Sequence, residues 1–311
     1  VNIEILDKIL DMRRYLSLME SNFPAELGNA YRAMENQGNP WGMNQNDRAD
    51  WAKDLNVEVV DPGAAFNHEY LYWVGCAGSF DDKNKKVTQA MAKLLKRAGI
   101  DVAILGPSEV CTGDSARRSG NEYLFQMLAT PNVEMLNGMG VKKIITQCPH
   151  CFNTLKNEYP ELGGNYEVVH HTQLIQELLN TGKLKIEGGE FKGKKITFHD
   201  PCYLGRGNGE YEAPRQLIQA LDAELVEMKR CKTNGLCCGA GGAQMFKEAE
   251  KGNKEVNVER TEDALEVKPS VIATGCPFCN TMMTDGVKHF EQEHTIAVKD
   301  IAELIADAVD L

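Results

Sequence analysis

The sequence predicts an α/β fold: two tandem pseudo-symmetric repeats, each a small parallel sheet flanked by helices, behind an N-terminal helical connector. Three observations lead there. Short apolar runs alternate with amphipathic stretches of helical period, the pattern of parallel strands joined by right-handed crossovers. A cysteine pattern occurs twice: shifting Cys76, Cys111 and Gly113 by 126 residues gives Cys202, Cys237 and Gly239, and shifting Cys148 and Cys151 by 128 gives Cys276 and Cys279. The chain has 311 residues, which suits about two such units.

The connector, residues 1–66, contains no cysteine. Ile5, Leu6, Ile9, Leu10 and Met12 recur at helical spacing, Gly38-Asn39-Pro40-Trp41-Gly42 reads as a turn, and Asp47 to Lys53 as a second short helix. The first repeat, 67–190, has strands predicted at Tyr70–Val74, Val102–Leu105, Lys143–Thr146 and Glu167–Val169, with a helix over Lys86–Ala98. Glu187 to Gly193 has linker composition and marks the seam. In the second repeat, 191–311, Lys195–Phe198, Glu224–Val226, Val271–Ala273 and Ile296–Val298 fill the matching strand slots. Helices are predicted over Glu212–Leu221, Gln244–Leu265, after Cys276 and from Asp300 onward. Cys76, Cys148, Cys202 and Cys276 each come closely after a predicted strand, so they fall at the carboxyl edge where open parallel sheets bind ligands.

Composition removes several classes. A net charge of −11 argues against general nucleic-acid binding, which needs a basic face. No apolar run approaches the roughly 18 residues of a membrane helix. Structural disulfides are disfavoured because the chain is long enough to form a core unaided, lacks a signal-peptide pattern and pairs its cysteines as C-x-x-C. These features read as cytoplasmic. The sequence begins at Val1 rather than Met, so a segment ahead of it is expected to be missing.

Nine of the ten cysteines belong to the repeat, and preserved thiols amid drifting residues point to a bound metal centre, foremost an iron–sulfur one. Thiolates are the ligands. Cys148-Pro149-His150-Cys151 and Cys276-Pro277-Phe278-Cys279 read as helix openings, with proline in the first turn, where its missing N–H costs little. Gly239-Ala240-Gly241-Gly242 lets backbone approach a bulky centre. Adjacent thiolates such as Cys237-Cys238 suit different irons better than a single one. The tenth, Cys231, reads as a surface thiol in a basic loop.

Cys202, Cys237-Cys238-Gly239 and Cys276-Pro277-Phe278-Cys279, with His199-Asp200-Pro201-Cys202, resemble the cysteine-rich CCG domain of heterodisulfide reductase B and D subunits and related iron–sulfur oxidoreductases. The resemblance covers about residues 70–311. It implies that Cys202, Cys237, Cys238, Cys276 and Cys279 hold a noncubane 4Fe-4S cluster that serves as the catalytic or terminal electron-transfer site. His199 and Asp200 abut Cys202 and either support the centre from behind or make plain strand-end hydrogen bonds, and Gly239 lets backbone amides come close to it. The first repeat departs from the pattern: Thr112 stands where the doublet's second cysteine belongs. Cys76, Cys111, Cys148 and Cys151 then suffice for a second, ordinary 4Fe-4S cluster or for tetrahedral zinc, and an empty half is the third option.

Val1-Asn2-Ile3 through Met12-Arg13-Arg14-Tyr15-Leu16 resembles the stretch that comes after a two-cluster ferredoxin module in fused family members. That implies partners: the ferredoxin-like module, an electron-transfer flavoprotein and a membrane domain that reacts with quinone, through which this chain would be membrane-associated. The expected function is electron relay from a flavoprotein to a quinone or disulfide acceptor, with catalytic disulfide reduction as the alternative. Two rivals are a zinc-scaffolded interaction protein and a bare C-x-x-C thiol–disulfide exchange enzyme. Among other residues, His170-His171 reads as structural, His150 as near the metal without ligating it, and Arg206 as either a charge partner of the centre or a surface side chain. Gly205-x-Gly207-x-Gly209 lacks the remainder of a nucleotide fingerprint.

Overall fold

The computed structural model describes residues 5–311; the first four residues of the N-terminal resemblance lie outside the described residues. Two all-parallel sheets form. The first contains β1 (Glu58–Val59), β2 (Tyr70–Trp73), β3 (Val102–Ile104), β4 (Lys143–Thr146) and β5 (Glu167–His170), in the order β1-β3-β2-β4-β5. The second contains β6 (Lys195–Phe198), β7 (Glu224–Leu225), β8 (Val271–Thr274) and β9 (Ala297–Asp300), in the order β7-β6-β8-β9. The second thus repeats the β3-β2-β4-β5 order of the first, and β1, from the end of the predicted connector, adds an edge strand beside β3.

The register repeats as well. Leu71, Tyr72 and Trp73 pair with Ile144, Ile145 and Thr146, and Ile196, Thr197 and Phe198 pair with Val271, Ile272 and Ala273. Strands β2 and β8 are buried along their whole length, which explains why they read as apolar runs instead of alternating. In each sheet the chain leaves the first central strand toward one side and returns on the other. The switch point therefore lies between β2 and β4, and between β6 and β8, where ligand crevices form in open parallel sheets.

The two repeats share one core. Tyr72 and Ile145 of the first pack in the same apolar cluster as Phe198, Ala273, Leu304 and Ile305 of the second. His171, immediately after β5, and Asp300, which ends β9, are buried with Nε2 and Oδ1 2.8 Å apart, so this contact ties the repeats together.

Two local expectations change. Gln244–Leu265 is not one helix: a 3-10 turn, Gln244–Phe246, precedes irregular chain and a helix over Val256–Glu266. Lys247 to Glu255 offers Ala249 as its single apolar side chain and contains Gly252, so a helix there would have no face to bury. The second connector helix is a 3-10 helix, Gln45–Ala52, capped by the Asn44 side chain accepting from the Asn46 N–H.

Lys83 lies at the repeat interface, with its ammonium against the Thr284 hydroxyl. Burial lowers its pKa to about 8. The folded state therefore holds this proton less tightly than the unfolded chain does, and the charge weakens folding at neutral pH. That loss fades as pH rises from about 8 through the unfolded value near 10.5. Lys83→Met is expected to gain on the order of 2 kcal/mol at pH 7 and almost nothing at pH 10.5. Urea midpoints at the two pH values check this; an equal gain at both would refute it.

Candidate metal centre

The loops leaving both switch points carry the cysteines. Cys76 comes after β2 and Cys148 after β4; Cys202 comes after β6 and Cys276 after β8. Cys276 caps the helix Pro277–His289, which has proline in its first turn as predicted, and Cys148 stands likewise before Pro149. The loop after β3 supplies Cys111 and the loop after β7 supplies Cys237 and Cys238. Each of these loops makes the same hook: Gly113 N–H donates to Cys111 Sγ at 3.4 Å, and Gly239 N–H to Cys237 Sγ at 3.3 Å. Both glycines have left-handed backbone, φ +86° and +96°, which explains why glycine recurs two residues after each cysteine.

All five cysteines of the second set come together. Cys202 contacts Cys237, Cys237 contacts Cys238, Cys238 lies 3.3 Å from Cys279 between sulfurs, and Cys279 contacts Cys276. In the first set Cys76 contacts Cys111 and Cys148 contacts Cys151, around a cavity of about 30 Å³. Cys148 also neighbours Cys276, so the two sets meet across the repeat boundary. Cys231, half-buried, belongs to neither set.

Crowded thiols cannot all ionise unaided. Hydrogen bonds from neighbouring thiols hold Cys237 and Cys148 well below the ordinary range, and Cys76 falls to about 7 through Cys111 and Arg48. Their partners rise: Cys237 drives Cys238 up to about 12, and contact with Cys237 and burial push Cys202 higher still. Cys279 rises through Cys238, and Cys276 mainly through burial. Each set is thus a nest of sulfur donors that multiply charged metal would deprotonate together. The backbone leaves room for bulk: a Cβ on Gly75 would stand 3.2 Å from Cys151 Sγ.

Charged groups surround the sulfurs. Arg206 donates from Nη2 to Cys202 Sγ at 2.9 Å, in a contact at the protein surface. Arg48, from the connector, is buried and donates to Cys76 Sγ at 3.4 Å and to Glu109 at 2.7 Å, while Glu109 accepts the N–H groups of Val74 and Gly75. Sequence reasoning missed Arg48. A basic side chain among Asn46, Asp47 and Asp50 gives no sign that it turns inward. His150 points Nδ1 at Asp114, 2.9 Å away, and its ring rests on Tyr203 and Phe278 of the second repeat. Asp200 is held in a fork by Arg215 at 2.8 and 3.0 Å and accepts the Lys232 N–H, so it anchors the loop that leads to Cys237. His199 is fully buried; one of its ring nitrogens, Cys238 Sγ and Cys279 Sγ lie within 4.8 Å of one another. Burial and the adjacent Arg260 lower its pKa to about 3, so the imidazole is neutral. A second cavity, about 270 Å³, opens beside Phe278 and Ala77, lined also by Trp41, Met43 and Met245.

Among the described residues, no helix is long and apolar enough to cross a membrane. A cysteine-rich domain model, CCG, matches residues 70–156 and again 196–284. The chain is 46% identical, over 98% of its length, to a probable iron-sulfur-binding oxidoreductase, FadF, of Bacillus subtilis, and 44% identical over 99% to an EtfAB:quinone oxidoreductase of Syntrophomonas wolfei. It spans 44% of each of those proteins. It is 33% identical over 94% of its length to one of the subunits of a dihydromethanophenazine:CoB–CoM heterodisulfide reductase of Methanosarcina barkeri, covering 68% of that protein. A hypothetical protein of known crystal structure from Helicobacter pylori shares the fold at a TM-score of 0.54 and 9% identity, over 84% of this chain and 54% of that one. Two matches to one domain model, at the positions of two sheets with the same strand order and the same cysteine hooks, lead to one conclusion: this chain belongs to the family of CCG cysteine-rich domain proteins and carries that domain twice in tandem.

Proposed function

We propose that the chain is an iron–sulfur electron-transfer module of an oxidoreductase, with a noncubane 4Fe-4S cluster on Cys202, Cys237, Cys238, Cys276 and Cys279. The observation that carries this reading is the unbroken sulfur contact from Cys202 through Cys237, Cys238 and Cys279 to Cys276. Five thiolates exceed what one tetrahedral zinc uses, and a doublet of adjacent thiolates suits a multi-iron centre. When bound, such a cluster accepts and releases single electrons. The protein's own residues place the thiolates, exclude water from Cys238, Cys276 and Cys279, and offset negative charge through Arg206. Asp200 and Gly239 support the set indirectly, one by anchoring the preceding loop and one by its N–H on Cys237. Cys76, Cys111, Cys148 and Cys151 would hold a second 4Fe-4S cluster, with zinc as the competing occupant.

The relative named as an EtfAB:quinone oxidoreductase favours a relay from a flavoprotein toward quinone; in this reading a ferredoxin-like module and a membrane domain would assist it. The heterodisulfide reductase relative favours a second reading, in which the electrons go to a disulfide: RS–SR plus two electrons and two protons gives two thiols. Oxygen-free protein should contain iron and acid-labile sulfide and show a cluster chromophore. That chromophore should bleach with a reduced flavoprotein and recover on adding a quinone; recovery with a disulfide alone selects the second reading. Protein containing only zinc and no sulfide would eliminate both.

A further inference from the structure

The residue three positions before the first cysteine of each set occupies the same station: Trp73 before Cys76 at the end of β2, and His199 before Cys202 just past β6. Both are fully buried, and each keeps one ring nitrogen without a partner: Nε1 of Trp73 and Nε2 of His199. Trp73 lines the cavity among Cys76, Cys111, Cys148 and Cys151, and His199 lies against Cys238 and Cys279. A buried ring nitrogen without a partner destabilises a fold unless something fills the space beside it. Two such groups at matching positions, each beside a sulfur set, point to a shared purpose.

The chemistry of the two rings narrows that purpose. Indole N–H only donates and never ligates a metal. Imidazole can do either, but here its choice is made by Arg260. The Arg260 Nε–H donates to His199 Nδ1 at 2.9 Å, and a guanidinium has donors only, so Nδ1 presents its lone pair and the ring proton sits on Nε2. Arg260 is fixed in turn, its Nη1 donating to the Arg230 carbonyl at 2.6 Å and to Asp263 at 3.2 Å. Nε2, the ring nitrogen with no partner of its own, therefore carries hydrogen and has no free electron pair. His199, Cys238 and Cys279 look like three ligands of a zinc site, but this tautomer leaves the imidazole no free lone pair for a metal, since that of Nδ1 accepts from Arg260.

We infer that His199 donates a hydrogen bond from Nε2 to sulfur of the centre held by the second set and does not ligate it, and that Arg260 is the positioning residue that fixes this proton. The inference deepens the iron–sulfur reading and rests on it. Hydrogen bonds to cluster sulfur favour the reduced state, so this contact raises the reduction potential.

The test uses oxygen-free protein with histidine labelled by nitrogen-15. Iron and sulfide are assayed first; their absence defeats the cluster reading itself, independently of the histidine's role. In loaded protein, pulsed electron-nuclear spectroscopy should show a weak nitrogen coupling and an exchangeable proton that vanishes in heavy water. The nitrogen coupling should be lost in His199→Leu. That variant should lower the midpoint potential, while His199→Gln, which keeps a donor, should stay nearer wild type. Arg260→Lys should preserve the nitrogen signature, and Arg260→Leu should change it. A coupling of the size of a direct iron ligand, or a loaded centre with no histidine coupling, overturns the inference. So does a potential that His199→Leu leaves unmoved.

Discussion

Cys238→Ser is expected to abolish or reshape the paramagnetic signal of the second set's centre, while Cys111→Ser leaves that signal intact. Cys238 is buried with its sulfur 3.3 Å from Cys279 and in contact with Cys237, so it is the link that joins the loop after β7 to the helix after β8. The first repeat already contains the natural counterpart of this substitution, because buried Thr112 stands at the matching position. Serine at 238 reduces the second repeat to four thiols, which a cubane or a tetrahedral ion accepts and the five-thiolate centre does not. Electron paramagnetic resonance with iron and sulfide counts on both variants decides the matter. The opposite pattern, loss of the unusual signal in Cys111→Ser, assigns the special centre to the first repeat.

The second large effect concerns Arg48. Its guanidinium is buried against Glu109, whose remaining acceptor capacity serves the N–H groups of Val74 and Gly75 just ahead of Cys76. Arg48→Met strands a carboxylate in the interior and removes the cation beside the Cys76 sulfur. Breaking a buried pair from one side typically costs about 3–5 kcal/mol, far more than the pair is worth against an apolar substitute. A urea midpoint should fall accordingly, and metal content of the first set should drop while that of the second holds. Arg48→Met combined with Glu109→Gln should recover much of the stability but not the metal content. If the single variant were as stable as the parent, the pair would have no structural role.

The sheets and the cysteine sets were legible because both are written locally. Apolar runs such as Val271–Thr274 are buried on both faces, and the 126- and 128-residue shifts reflect matching stations on matching strands. The side chains that tune the sulfurs were not legible. Arg48 reaches Cys76 across 28 residues and Arg260 reaches His199 across 61, and the sequence of a charged residue on a polar stretch is the same whether it turns inward or outward. Lys247–Glu255 misread as helix for a related reason: its composition favours helix, but no apolar stripe fastens it to the body. His199 stood in plain view next to Asp200. Its role depends on which nitrogen holds the proton, and only the Arg260 contact decides that.

The nearness of Cys148 to Cys276 couples the charging of the two halves. A negative charge settled on Cys148 works against ionisation of Cys276, and Cys76 and Cys111 act on Cys151 in the same sense. Little water intervenes to mute that repulsion, since all five sulfurs are buried. Negative charge gathered on one set of sulfurs therefore resists further charge on the other, so the two halves cannot ionise independently.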